Sequence, residues 1–361
     1  MYVAVDRLPS RAHRRIALLA ALVLPILLAP VAVLQSASAQ DAVVGAWEPA
    51  GTGDGPAPRW DHTLAADEPD DSLILFGGRD GGGNAFADTW RYDAASGTWR
   101  AIDVAGPPAR FGHAVAVDAD ARVLYLFGGQ VGSTFYDDAW RFDLTAETWE
   151  QIVTPAGPSP RYGHSAVLDD TGNLIISHGF TFSGRFDDTW ALDRETGTWR
   201  DISPDPGATR PLPRCLHEAI WDADQGRMLL FGGCASGFGP CPLGDLWAFD
   251  PVARAWTEIT PAFGPAPRMN PALVLDAPHG RAILLAGNTA AGNVFDTWSI
   301  PLDGPASVWS EQAPSGTAPE ARSSLDATVL GGRIYLFGGT GNAGPLADLW
   351  VAAIESGAQD G

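Results

Sequence analysis

The stretch that decides the fold is Ala109–Trp149, ARFGHAVAVDADARVLYLFGGQVGSTFYDDAWRFDLTAETW. It predicts four short strands, because runs rich in Val, Tyr, Phe and Trp alternate with turns rich in Gly and Asp. The first strand covers Gly112–Val117, and the second, Val123–Phe127, ends at a glycine pair. A third strand surrounds Trp140, and a fourth opens at Trp149.

This unit recurs six times along the chain. An arginine opens each copy, at Arg59, Arg110, Arg161, Arg214, Arg268 and Arg322. An Asp-x-Trp motif follows in each copy, with the aspartate at Asp88, Asp138, Asp188, Asp245, Asp296 and Asp348. The tryptophans of this motif are Trp90, Trp140, Trp190, Trp247, Trp298 and Trp350. A period near fifty residues with four strands per period predicts a β-propeller, here an all-β ring of six blades.

The glycine pairs, the Asp-x-Trp motifs and a second tryptophan spaced behind most of them resemble the Kelch-repeat family. The resemblance covers nearly all of the chain beyond residue 40 and implies four antiparallel strands per blade. The last copy lacks its fourth strand. Trp47 precedes Arg59 by twelve residues, as Trp149 precedes Arg161. We therefore expect Val43–Trp47 to supply the outer strand of blade six, which covers an otherwise unpaired edge.

The first 39 residues predict a secretory signal peptide, cleaved from a propeller over residues 40–361. A basic start is followed by the apolar run Ile16–Leu34 and by Ala37-Ser38-Ala39, a small-residue cleavage site. A retained membrane anchor is the alternative, because the apolar run is about long enough to span a bilayer. All 23 basic residues are arginine, which suggests a GC-rich genome. We expect a bacterial protein that is secreted or periplasmic, with no membrane span after cleavage.

Net charge and cysteine content bear on nucleic-acid binding, disulfide formation and zinc binding. The net charge is −20, and residues 1–39 carry +3, so the remainder carries −23. Such a surface repels phosphate backbones, and nucleic acid is not an expected partner. The three cysteines predict one disulfide in an oxidising compartment, with Cys234–Cys241 as the first choice and Cys215–Cys234 as the alternative. The CxxC spacing typical of zinc sites is absent.

The repeated arginines and aspartates allow two interpretations. Both begin strands at the same end of a blade, so they could pair around one rim in bidentate ion pairs. The six guanidinium groups could instead ring the mouth of the central channel and bind a carboxylate or another anion. Both interpretations remain open, with the structural pairing favoured. The aspartates and tryptophans, including Trp47, are assigned structural roles.

Histidines and loop phenylalanines are the other candidate binding residues. A histidine follows the repeated arginine by three places in four blades, at His62, His113, His164 and His217. Its repetition predicts a structural hydrogen bond, and four separate blades do not converge on one metal. Four loop residues follow no repeat: His178, Phe180, Phe182 and Phe238. Because function tends to lie on loops over a rigid scaffold, these four are candidates for specific recognition.

The sequence predicts no catalytic residue, no cofactor and no metal site. It contains no nucleophile–base pair, phosphate-binding loop, dinucleotide loop or calcium loop. A copper-radical oxidase resembling galactose oxidase needs a Cys-linked Tyr, and no cysteine here stands beside a suitable one. The iron motif of the nitrile-specifier Kelch proteins is broken at Gly226. We expect a scaffold that binds protein or carbohydrate. The alternative is a sugar-modifying enzyme resembling the exported six-bladed sialic-acid mutarotases.

Overall fold

A computed structural model describes residues 43–51, 53–303, 308–313 and 316–356. The predicted signal peptide and its cleavage site lie outside these residues. The described part is almost entirely β-structure, with single 3-10 turns at Glu68–Asp70 and Ala277–His279. No helix within it is long and apolar enough to cross a membrane.

Six antiparallel sheets form six blades, each with an inner, a second, a third and an outer strand. The inner strands are Thr63–Asp67, Ala114–Asp118, Ser165–Leu168, Glu218–Asp222, Ala272–Asp276 and Asp326–Leu330. The second strands are Ser72–Phe76, Val123–Phe127, Leu174–Ser177, Arg227–Gly233, Arg281–Thr289 and Arg333–Phe337. The third strands are Thr89–Asp93, Ala139–Asp143, Thr189–Asp193, Leu243–Asp250, Gly292–Pro301 and Leu349–Ala353. The outer strands are Thr98–Ile102, Thr148–Ile152, Thr198–Asp201, Ala255–Ile259, Ser310–Gln312 and Glu48–Ala50.

Short strands lie on the face of the propeller that carries the loops between the second and third strands. We call this face the loop face. Gln130–Val131 pairs with Thr134–Phe135, and Phe180–Thr181 pairs with Gly184–Arg185. In blade five, Arg268–Met269 pairs with the end of the second strand. The loop face therefore carries small hairpins that stand on the blades.

The N-terminal segment closes blade six, as the repeat count predicts, but its strand bounds differ from the prediction. The ladder begins at Glu48, after Trp47, and pairs Glu48–Ala50 with Leu349–Val351. Val44 forms only an isolated bridge to Ile354. Four positions separate Val44 from Glu48, whereas three separate Val351 from Ile354. One extra residue therefore interrupts the ladder as a bulge, and the strand starts later than Val43–Trp47.

A closed circle of backbone hydrogen bonds joins the six blades around the axis. In each blade the residue two places after the repeated arginine donates its N–H to the carbonyl of the equivalent residue in the neighbouring blade, at 2.8–3.1 Å. The six residues are Asp61, Gly112, Gly163, Leu216, Asn270 and Ser324, with φ between 49° and 62°. This left-handed conformation is energetically costly for residues other than glycine. The hydrogen bonds of the circle hold the four non-glycine residues in it.

The hydrophobic core is divided among the blade interfaces. Each of six buried clusters joins residues of two neighbouring blades. Between blades one and two, for example, Ile74 and Phe76 pack against Leu124, Phe142 and Trp149. Second strands such as Ser72–Phe76 and Val123–Phe127 are nearly continuous apolar runs because both of their faces are covered, whereas outer strands such as Thr148–Ile152 alternate with exposed residues.

Candidate functional site

The six repeated arginines are paired with the six repeated aspartates, each within its own blade. Arg161, for example, donates from Nη1 to Asp188 Oδ1 at 2.6 Å and from Nη2 to Oδ2 at 2.9 Å. The same two bonds recur in every other blade at 2.5–2.8 Å. All six arginines are 0% exposed. The guanidinium groups therefore lie beneath the loop face and are not presented at the mouth of the channel.

A third hydrogen bond to each aspartate, donated by the tryptophan, explains why the two residues of the Asp-x-Trp motif are two places apart. The indole Nε1–H of the tryptophan two places later donates to the same carboxylate, at 2.6–2.9 Å in all six blades. Residues i and i+2 of a strand lie on one face, so this bond is local. Burial alone would raise the pKa of Asp88, but the hydrogen bonds and charge of Arg59 outweigh it and hold that pKa below its ordinary value.

The four repeated histidines are buried at blade interfaces, where they pack against neighbouring blades. His113 Nε2 lies 2.9 Å from the hydroxyl of Thr63, and His217 Nε2 lies 3.0 Å from that of Ser165. Burial, reinforced by the neighbouring arginine, lowers the pKa of His62 and of His217 to about 3. Their rings are therefore neutral at physiological pH. Within the described residues, no three His, Cys, Asp or Glu side chains lie close enough together to hold a metal ion.

His178 occupies the place that a phenylalanine ring fills in other blades. In blade one the last residue of the second strand, Phe76, contacts His113 and Trp149 of blade two. Blade three has Ser177 at that position, and the ring of His178 contacts His217 and Trp256 of blade four instead. His178 is 0% exposed, so this ring packs inside the molecule although the sequence placed it in a recognition loop.

The predicted phenylalanines form an exposed aromatic cluster on the loop face. Phe182 lies 4.9 Å from Phe135 of blade two and 6.3 Å from Phe180, measured between ring centroids. Phe182 is 69% exposed and Phe238, on the next blade, is 54% exposed. Phe135 and Phe180 are half-buried, and Phe238 comes close to Gly184 of the hairpin that carries Phe182. We call Phe135, Phe180, Phe182 and Phe238 the aromatic cluster. The sequence analysis missed Phe135, because its position beside Phe182 depends on how the hairpins of two blades meet.

The loop that carries Phe238 is held by covalent and polar contacts. Cys234 and Cys241 form the predicted disulfide, and Cys215 remains a buried free thiol. Burial raises the pKa of the Cys215 thiol. Arg185 of blade three donates to the carbonyl oxygen of Cys234 at 3.0 Å. These contacts link the loop of blade four to the hairpin of blade three.

Side chains from blades one, two and three form a further cluster beside the channel, at the loop-face ends of the inner strands, that was not predicted from the sequence. Arg79 lies between the rings of Trp60 and Phe111, 4.4 and 4.2 Å from their centroids, and pairs with Asp61 at 2.7 Å. The hydroxyl of Tyr162, from blade three, donates to Asp61 Oδ2 at 3.2 Å. Trp60, Phe111 and Tyr162 each directly follow a repeated arginine, and Arg79 directly follows a glycine pair. These positions were the signal available in the sequence.

The family assignment follows from the six-bladed ring and from direct comparison. A model of the KLHDC2/KLHL20/DRC7 Kelch-repeats domain matches residues 41–233 and 226–358. The chain belongs to the Kelch-repeat family. This Kelch propeller is also similar to the flagellar outer-arm dynein alpha chain of Chlamydomonas reinhardtii, with 32% identity over 154 residues. It is 31% identical over 139 residues to tip elongation aberrant protein 1 of Schizosaccharomyces pombe.

The matches cover part of this Kelch propeller and only a small part of each relative. The matches cover 41% and 37% of the chain but 3% of the dynein chain and 12% of the yeast protein. Both relatives are eukaryotic, so they lend no support to the predicted bacterial origin and export. Propellers of this family typically bind proteins.

Proposed function

We propose that this Kelch propeller is a scaffold that binds a partner protein through the aromatic cluster on its loop face. The observation that carries the proposal is the exposure of Phe182 and Phe238 on loops that are themselves held in place. Exposed aromatic side chains are the anchors that dominate protein interfaces. A pinned loop loses little conformational entropy on binding. The net charge of −20 favours a partner whose contacting surface is basic.

Burial of the repeated arginines favours a protein partner over an acidic glycan. The acidic-glycan interpretation and the mutarotase-like alternative both rest on guanidinium groups that a ligand can reach. Each of these groups is 0% exposed and bound to an aspartate. We therefore propose the scaffold function without a catalytic role.

We also propose that this Kelch propeller works in an oxidising compartment, secreted or periplasmic. The disulfide Cys234–Cys241 supports this proposal, because disulfides are rare in reducing cytosols. Fractionation of the source cells tests it. Recovery of the processed chain outside the cytoplasm is expected, and a full-length chain confined to the cytoplasm would contradict it.

The interaction is tested by cross-linking capture with three forms of the protein: wild type, Phe182→Ala/Phe238→Ala, and Val252→Ala. Val252 is 92% exposed in a turn on the opposite face, so its substitution is a matched control. We expect the double variant to lose about tenfold or more of its affinity for each captured partner, and the control to retain it. Partners retained equally by all three forms would contradict the proposed surface. Acidic glycans on an array would instead support the sugar alternative.

A further inference from the structure

The central channel is a second candidate site, separate from the aromatic cluster. It encloses a cavity of about 360 Å³, lined by the inner strands of all six blades. Its walls are mostly small or apolar, for example Leu64, Val115 and Leu273. Its charged groups are carboxyls, and no arginine contributes to the lining among the described residues. The cavity therefore combines apolar walls with acidic groups.

Two of these carboxyls break the symmetry of the repeat. Glu218 and Asp326 each stand four places after the repeated arginine of their blade. The other four blades have Thr63, Ala114, Ser165 and Ala272 at this position. Both acids thus enter the channel wall at one level, in blades four and six. Neither is required by the repeat, since four blades form the same strand without an acid.

The two carboxyls lack a counter-charge. Asp326 accepts hydrogen bonds from the backbone N–H groups of Leu64 and Ala327, at 2.7 and 2.8 Å. The carboxyl of Glu218 has no hydrogen-bond or ion-pair partner among the described residues. The third acid of the lining, Asp61, is already paired with Arg79. Burial raises the pKa of Asp326 to about 7, and burial together with Asp326 raises the pKa of Glu218 well above its ordinary value.

The other titratable groups of the cavity do not supply a positive charge. The four repeated histidines line it, and burial lowers the pKa of each. Tyr162 also lines it, and burial raises the pKa of its hydroxyl. Above pH 7, where Asp326 is ionised, the cavity therefore holds a negative charge that no cationic side chain of its lining compensates. A bound cation would relieve the cost of that charge.

We propose that the channel binds an organic cation, an ammonium or guanidinium group on a short apolar stem, between Glu218 and Asp326. The apolar wall suits the stem, and the two carboxyls suit the head group. Two carboxylates alone are too few for a divalent metal, which takes four or more ligands in known protein sites. The proposal does not depend on the partner protein of the loop face.

Calorimetric titration with n-butylamine and with a peptide ending in lysine tests the proposal at pH 8. We expect Glu218→Gln/Asp326→Asn to bind at least tenfold more weakly than wild type. Glu258→Gln, an exposed acid on the outer strand of blade four, should bind as wild type does. Phe182→Ala should also bind as wild type does, which separates this site from the aromatic cluster. Binding should weaken at pH 5.5, because Asp326, whose pKa burial raises to about 7, holds a proton there.

Chemical shifts of the Leu64 and Ala327 amides locate the bound cation, because both amides contact Asp326. Binding of the free amine would assign the site to a small amine, and binding of the peptide alone would assign it to a protein side chain. The proposal is overturned if folded wild-type protein binds neither probe at millimolar concentration. Equal binding by the double channel variant would also overturn it. Unfolding curves for each variant establish that it is folded.

Discussion

The repeated arginine binds several groups of its blade at once. Arg161 donates to Asp188, to the carbonyl oxygens of Ser159 and His178, and lies 4.2 Å from the ring centroid of Phe186. We predict that Arg161→Met lowers the free energy of unfolding by about 3–5 kcal/mol, because it leaves a partly buried aspartate without its partner. Urea unfolding followed by tryptophan fluorescence measures this.

The matched control at this scale is Arg200→Met, on the exposed outer strand of the same blade. It should change the free energy of unfolding by about 0.5 kcal/mol or less. Equal losses for the two variants would show that the buried network carries no special stability.

Repetition decided which residue-level features could be predicted. The arginine and aspartate pairing was foreseeable, because both residues recur in all six blades and both begin strands at the same end of the blade. Glu218 and Asp326 were not foreseeable as a pair, because they share a channel only once six inner strands converge. His178 was placed in a loop, because its role depends on the serine that precedes it and on a tryptophan in the next blade.

Among the elements, the N-terminal outer strand of blade six joins the two ends of the described chain. Trp47 is 3% exposed, and its ring packs against Phe295 at 5.5 Å. We predict that Trp47→Ala lowers the free energy of unfolding by about 3–5 kcal/mol, since it leaves a large cavity. Hydrogen exchange should also speed up at the amides of Leu349–Val351, which pair with this strand.

A suitable comparison for this element is Val153→Ala, which changes a residue that is 83% exposed. Its unfolding free energy and exchange rates should match those of wild type. Unchanged exchange at Leu349–Val351 in Trp47→Ala would show that the strand does not depend on its tryptophan. The existence of this strand was predictable from the tryptophan spacing, but its start was not. The extra residue between Val44 and Glu48 shifts the register, and its signal in the sequence is a single glycine, Gly45, which suggests a bulge without fixing where the strand begins.

For the molecule as a whole, two sets of titratable groups act on stability in opposite directions. Five buried histidines have lowered pKa values, so the unfolded chain binds more protons than the folded one as pH falls below 6.5. Their contribution to stability is complete above pH 6.5 and is lost on acidification. Asp326 and Glu218 have raised pKa values, so their contribution is complete at low pH. It is lost as pH rises through the folded-state value, about 7 for Asp326.

We predict that stability is greatest near neutral pH and falls from pH 6.5 to 4.5, because the five histidines outnumber the two channel acids. Each group changes the free energy of unfolding by at most about 1.4 kcal/mol per pH unit. Urea unfolding at pH 4.5, 5.5, 6.5 and 7.5 measures the profile. Glu218→Gln/Asp326→Asn removes the opposing set, so it should steepen the fall in stability from pH 6.5 to 4.5. A flat profile from 4.5 to 6.5 in both proteins would mean that the histidines stay accessible to protons in the folded ring. If the double variant had the same pH profile as wild type, the channel acids of the wild-type protein would be ionised at these pH values like carboxyls in water.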